Sequence, residues 1–168
     1  MAGAEGKFNQ YRSIINPILE KTTPTKLTGT ATRGGEKVEI AVNVTGAPGE
    51  GELKLRFLLV EDTVKYVGGN KLRFHHHVVR AMPGGAAGVA VKEGDTKHTA
   101  TADLAAIRKD LTKYLDEYAA KERPFPTAAR PLALEHLRLI ALLQDDKTGE
   151  VLQAVQIDVT DKVAAAGR

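Results

Sequence analysis

The sequence predicts a mainly β domain: an immunoglobulin-like antiparallel β-sandwich of about seven strands, with one inserted α-helix and a short N-terminal helix. Short segments of alternating polarity are separated by frequent Gly/Pro turns, which is typical of sandwiches. A single long stretch has helical spacing instead. The 168 residues suit one domain with a short appendage. A closed β-barrel is the rival architecture.

Residues 1–21 are interpreted as an N-terminal helix and linker. Six apolar side chains recur at helical spacing over 7–20: Phe8, Tyr11, Ile14, Ile15, Ile18 and Leu19. Pro17 lacks an N–H donor, so we expect the helix to break near Ile15 and to add one further turn after Pro17. The apolar stripe needs a surface to dock on, either in this domain or in a preceding domain of which it is a remnant.

The sandwich domain is expected to span residues 22–162, followed by a frayed tail at 163–168. Strands are predicted over 26–32, 36–45, 53–60 with an extension at 64–67, 71–82 resuming at 89–92, 97–102, 132–144 and 150–160. The inserted helix, 103–121, begins at the N-cap Asp103 and lies between the fifth and sixth strands. Residues 145–149 form a hairpin turn with glycine at the left-handed position.

Composition narrows the functional classes. There is no cysteine, which excludes disulfides, thiolate zinc sites and thiol catalysis. The net charge of +3 comes from 24 basic and 21 acidic residues that are interspersed, so no basic stripe predicts nucleic-acid binding. No apolar run reaches the roughly 18 residues of a membrane span. Ser13 is the only serine and has no evident His/Asp partner, which argues against a serine nucleophile.

The run from Leu72 to Gly85 is the most unusual stretch, because it contains three of the five histidines. In an extended strand His75 and His77 share a face, whereas His76 lies on the other face with Leu72, Phe74 and Val78, as a core histidine. His75 and His77 can reach one metal ion, zinc or copper, if a further ligand comes from elsewhere. The candidate further ligands are His98, His136, Glu61 and Asp62. The alternative is that these histidines are structural, hydrogen-bonded at the sandwich edge.

Charged residues near this run predict a second feature. Arg73 and Arg80, near Glu61 and Asp62, can anchor an anion or form a buried ion pair; the alternative, which is favoured, is that they form cross-strand salt bridges. The glycine-rich segment 83–88 lacks the strand–loop–helix context and the lysine of a phosphate loop, so it is interpreted as a turn. Asp145 and Asp146 are explained by the hairpin turn and not by acid/base catalysis.

The segments 55–62, 66–70 and 73–85, together with 137–159, resemble a known class of domain. They are similar to the C-terminal β-sandwich domain that follows a thioredoxin-like domain in secreted bacterial proteins. More distantly, they resemble outer-membrane lipoproteins with a His-x-His-Val-x-Arg run. The resemblance implies an extracytoplasmic, periplasmic or secreted, accessory domain, with residues 8–19 as the closing helix of the thioredoxin-like domain. No Cys-x-x-Cys is present in this chain, so no redox activity is carried over.

The first functional hypothesis is therefore a non-catalytic accessory domain that binds a protein partner or self-associates, without a cofactor. The alternative is a zinc- or copper-binding module that uses the histidine cluster 75–77. An enzyme that acts through the histidines is the weakest of the three hypotheses. No nucleophile–base pair or carboxylate pair supports it.

Overall fold

The structure is a computed structural model that describes residues 3–162. In chain order its elements are α1 (Ala4–Leu19), β1 (Lys26–Gly34), β2 (Lys37–Ala47), β3 (Leu53–Lys65), β4 (Phe74–Ala81), β5 (Val89–Ala90), β6 (Gly94–Asp103), α2 (Leu104–Lys121), β7 (Leu137–Asp145) and β8 (Val151–Asp161). The mainly β, sandwich-like fold with an inserted helix and an N-terminal helix is confirmed. The predicted tail at 163–168 lies outside the described residues.

The strands form one curled sheet in the order β4-β3-β7-β8-β1-β2-β6, and β5 pairs beside β4 on β3. Strand β8 connects the two halves, because it pairs antiparallel with β7 and parallel with β1. The expectation of a fully antiparallel sheet is therefore wrong at this one pairing. The sheet has eight strands because Val89–Ala90 is a separate strand, so the helix lies between β6 and β7.

The core lies between the two halves of the curled sheet, and the alternation in the sequence is the reason. In β2, Val38, Ile40, Val42 and Val44 are all buried, as their spacing predicts. They face the odd-numbered apolar residues of β3 and β7, which form the same buried cluster: Leu53, Leu55, Phe57, Leu59, Leu137, Leu139, Ala141 and Leu143. Strand β3 has neighbours on both edges, as its apolar run predicts.

Helix α2 bridges the two ends of the sheet. It follows β6 directly, contacts both β4 and β6, and starts with Leu104, which is fully buried in the core. The Asp103 side chain accepts a hydrogen bond from the Ala106 N–H at 2.9 Å and caps the helix as predicted. The Leu104 N–H donates to the Glu36 carbonyl at 2.8 Å, which ties the start of the helix to the β1–β2 turn.

Helix α1 differs from its prediction and from α2. Pro17 lies inside a continuous helix, so the expected break near Ile15 is wrong. None of the residues of α1 is buried, and its six large apolar side chains are between 49% and 76% exposed. The stripe therefore has no docking surface within the part of the chain that the structure describes.

Strand β7 starts later than predicted. The expected strand from Leu132 begins at Leu137, because Leu134 and His136 have positive φ angles of 55° and 49°. Leu132 and Leu134 are nevertheless buried, so the segment packs as an irregular stretch against the core. A left-handed backbone at a non-glycine residue is uncommon and leaves no clear sequence signal.

Candidate functional site

The histidine strand β4 changes face in its middle. His75, Val78 and Arg80 line one cavity, which regular alternation from His75 does not allow. His77 lies at the interruption, with a φ of 51°. The expectations that His75 shares a face with His77, and that His76 shares a face with Val78, are therefore wrong. His76 is exposed, with its Nδ1 3.2 Å from the Thr63 hydroxyl, and is not a core histidine.

The five histidines have separate hydrogen-bonding partners or locations. His75 Nε2 lies 2.9 Å from the Tyr66 carbonyl oxygen, so this nitrogen carries the proton. His77 Nε2 is 3.2 Å from Gln156 Oε1 and 3.7 Å from Asp62 Oδ1. Hence His75 and His77 are held by different elements.

Of the proposed further metal ligands, Asp62 approaches only His77, and the other two histidines lie elsewhere. His98 lies on β6, the strand at the other end of the sheet order, with its Nε2 2.9 Å from the Thr96 hydroxyl. Burial lowers the pKa of His98. His136 is exposed before β7. Within residues 3–162, no three His, Asp or Glu side chains form a group able to hold a metal ion. Zinc or copper binding remains a prediction from the sequence that this geometry does not support.

The charged residues of the run divide into two groups. Arg80 and Glu61 form an ion pair in which both side chains are over 90% buried: the Arg80 Nε donates to Glu61 Oε2 at 2.8 Å. Arg80 Nη2 also donates to the Pro131 carbonyl at 2.6 Å, and Glu61 Oε1 accepts from the Glu135 N–H at 3.2 Å. This pair ties β3 and β4 to the segment after α2.

The other two charged candidates lie outside this buried pair. Asp62 contacts Arg138 at 3.5 Å on the neighbouring strand β7. Arg73 is exposed just before β4.

The hairpin aspartates have structural partners, as predicted. Asp145 Oδ1 accepts from the N–H groups of Glu52 and Lys147, and these bonds lower the pKa of Asp145. Asp146 forms a two-point pair with Arg56, at 2.7 and 2.9 Å, which lowers the pKa of Asp146. Gly149 has a φ of 78°, the left-handed position expected for the turn.

A cavity of about 290 Å³ lies between β4 and the segment that follows α2; we call it the helix cavity. Its apolar walls come from β3, β4, α2 and the segment after α2: Val64, Val78, Leu115, Phe125, Pro131 and Leu132. A second cavity of about 270 Å³ shares Tyr66 and Phe125 with it. Small-molecule pockets are mostly apolar, with volumes of ~300–1,000 Å³, so the helix cavity lies at the lower limit of this size range.

Two buried polar atoms belong to residues that line the helix cavity. The Tyr66 hydroxyl and the Arg130 Nε have no hydrogen-bond partner within the described chain. The Arg130 guanidinium carbon lies 4.8 Å from the centre of the Phe125 ring, and its Nη2 is 3.8 Å from Asp116. Leaving a buried polar group unpaired costs about 1–3 kcal/mol, so such groups need an explanation.

Sequence reasoning missed the helix cavity. Its residues come from β3, β4, α2 and the Pro-rich stretch after α2, and no periodicity connects them. The sequence shows only that aromatic residues are scarce, at 5% of the chain. In the structure Tyr66, Tyr118 and Phe125 lie in one region, and the Tyr118 and Phe125 ring centres are 5.4 Å apart. The spacing of these three residues along the sequence does not predict that they meet, so the cavity could not be predicted from it.

Solved structures share this fold. The chain is similar to a domain of the outer membrane lipoprotein Omp28 from Porphyromonas gingivalis, with a TM-score of 0.51 and 16% identity over 83% of this chain and 99% of that one. It is also similar to HBP35 of Porphyromonas gingivalis, with a TM-score of 0.59 and 12% identity over 94% of this chain. The match covers 48% of HBP35, so the chain spans about half of that protein's length.

At these identities the likeness shows the fold alone. The sequence resemblance to outer-membrane lipoproteins is confirmed at that level. No family model and no curated protein sequence matches the chain. Neither helix in the described residues is long and apolar enough to cross a membrane.

Proposed function

We propose that this chain is a non-catalytic accessory domain of an extracytoplasmic protein, and that helix α1 is its protein-binding element. One observation carries the proposal: α1 has an apolar stripe of six large side chains and buries none of its residues. The buried core contains Leu104 of α2 and no residue of α1. An exposed apolar patch of this kind is typical of a protein-interaction surface.

The stripe also indicates the chemistry of its partner. When the helix is projected at 100° per residue, Arg12 borders the apolar side chains, and Lys7 falls within their sector near the N-terminal end of the helix. A complementary surface is an apolar groove bordered by carboxylates, because opposite charges at the rim favour docking. A partner of this kind covers the α1 stripe and leaves the sandwich unchanged.

We further propose an identity for the partner and a cell compartment. The sequence resemblance supports a thioredoxin-like domain as the partner, and the Omp28 likeness supports a location in the cell envelope. The HBP35 match is in keeping with an accessory role, because the matched region is about half of that longer protein. The proposal that the domain is non-catalytic is supported by Ser13, the only serine of the chain. Its hydroxyl is exposed on α1 and donates to the Gln10 carbonyl at 2.8 Å.

Site-specific photocrosslinking in cells tests the proposal. A photoreactive phenylalanine analogue replaces Tyr11 on α1 or, as a matched control, Tyr114 on α2; the two tyrosines are 59% and 62% exposed. We expect the Tyr11 probe to crosslink one defined protein, domain or second copy, and the Tyr114 probe to give only background. Identical products at both positions would contradict the role of α1. A defined partner without a thioredoxin-like domain would overturn only the proposed identity of the partner.

A further inference from the structure

We propose that the chain forms a homodimer through strand β6, which pairs edge to edge and antiparallel with β6 of a second copy. The two-fold axis passes beside Ala100, so the two sheets continue across the contact. This contact uses no residue of α1 and is therefore independent of the proposed role of that helix.

Strand β6 is a long and regular edge of the sheet. It is last in the strand order, and among the described strands it pairs only with β2. The register with β2 runs without interruption from Thr96 to Asp103, and the strand contains no proline. An edge of this kind is a template on which a further strand can pair.

The opposite edge, β4, differs from β6 in regularity. Its register with β3 shifts between Leu59 and Val60, and His77 has a left-handed φ of 51°. Irregularities of this kind prevent a neighbouring chain from pairing with an edge. Of the two edges, β6 is therefore the one that can accept a strand over several residues.

The hydrogen bonds between β6 and β2 show which backbone groups of β6 are free to pair. The Leu104 N–H donates to the Glu36 carbonyl at 2.8 Å, in the same register as the rest of the two strands. In an antiparallel pair only alternate residues bond to the neighbouring strand. The groups that bond to β2 therefore belong to even-numbered residues of β6. The N–H and C=O groups of three odd-numbered residues point away from β2: Lys97, Thr99 and Thr101.

The order of side chains favours a second β6 as the occupant of this edge. With the axis at Ala100, Lys97 of each copy lies opposite Asp103 of the other, and Thr99 lies opposite Thr101. Each of these pairs occurs twice and places its side chains on the exposed face. Opposite charges and Thr–Thr pairs are both favourable across antiparallel strands.

The charges also select this register. An axis one residue earlier, at Thr99, would place Asp95 opposite Asp103, and like charges directly opposite are destabilising. An edge lysine normally discourages pairing, but here the Lys97 charge meets a carboxylate. Asp103 Oδ1 caps α2, and its second oxygen can receive the lysine.

Cysteine cross-linking of the full chain tests the pairing directly, since the chain has no cysteine of its own. In the proposed register Ala100 faces its own copy in a non-hydrogen-bonded pair with Cα atoms about 4.5 Å apart, which suits a disulfide. Thr99→Cys is the matched control, because the two sulfurs are offset along the strands and the Cα atoms lie more than ~7 Å apart. We expect mild oxidation to convert Ala100→Cys to a covalent dimer and to leave Thr99→Cys mostly monomeric. Equal cross-linking of the two variants, or none in Ala100→Cys, would overturn the inference.

Sedimentation of the chain without cysteines gives an independent measurement. A single strand pair buries less surface than a standard interface, so we expect a dimer that dissociates on dilution. Lys97→Glu creates two like-charge pairs and should raise the dissociation constant about tenfold. Lys109→Glu, an exposed lysine on α2, should leave it unchanged. A chain that stays monomeric at high micromolar concentration, or a dimer that Lys97→Glu does not weaken, would contradict the pairing.

Ile15→Glu distinguishes this dimer from association through the α1 stripe. The variant should leave both the dissociation constant and the cross-linking of Ala100→Cys unchanged. Loss of the dimer in Ile15→Glu would place the contact on α1 and would overturn the inference, while supporting α1 as a protein-binding element.

Discussion

Helices α1 and α2 have similar lengths and both are amphipathic, yet only α2 is part of the folded core. Helix α2 follows β6 without a linker, buries Leu104 completely and contacts the strands at both ends of the sheet. Helix α1 is separated from β1 by residues 20–25 and buries nothing. An apolar stripe therefore predicts that one face of a helix is buried against another surface. Whether its own domain provides that surface depends on how the helix is connected to the sheet.

The largest expected effect is at the ion pair that anchors the segment after α2. Arg80→Met leaves the buried Glu61 carboxylate without its partner, which should lower the free energy of unfolding by about 3–5 kcal/mol. Chemical denaturation measures it. The double variant Arg80→Met/Glu61→Met should recover much of the loss. A single variant as stable as the unmodified chain would show that the pair does not anchor the segment.

Leu104 tests the attachment of α2 itself. Leu104→Ala removes a side chain with no exposed surface and should cost about 2–5 kcal/mol of unfolding free energy, including the cavity it leaves. The denaturation midpoint gives the value, with Leu19→Ala on α1 as the matched leucine control. Equal losses for the two leucines would remove the distinction between the helices.

The pH dependence of the unfolding free energy tests the burial of His98 on β6, the strand that α2 contacts. Burial lowers the pKa of His98 below its usual 6.5, so the folded state favours the neutral imidazole. The stabilising contribution is then complete above about pH 6.5 and is lost as the pH falls through the folded pKa. NMR titration should give a midpoint below 6.5, and His98→Gln should remove this part of the slope. A midpoint above 6.5 would contradict the burial of His98.

The smallest expected effect is on α1. Ile15→Glu places a charge on an exposed stripe and should change the unfolding free energy of the sandwich by no more than about 0.5 kcal/mol. Thermal unfolding monitored by the β-sheet signal measures it. A loss comparable with that of Leu104→Ala would show that α1 packs on the domain.

The parts of the fold that follow local rules were predictable. Alternation in β2 and β3 placed the core residues, and Asp103 marked the start of α2. The histidine site was not predictable, because the prediction assumed regular alternation through His77, where the backbone turns left-handed. Likewise, the parallel pairing of β8 with β1 depends on how the whole sheet curls, and no local pattern records it. Polarity shows which faces are buried, but not where a strand changes face.

Native-state hydrogen exchange of the full chain alone, at a concentration where it is monomeric, most directly tests whether α1 is independent of the sandwich. An isolated helix of about 16 residues is marginal in water, so the α1 amides should exchange far faster than those of α2. That result would support α1 as an element that awaits a partner. Equal protection of the two helices would contradict this account and would show that α1 packs on its own domain.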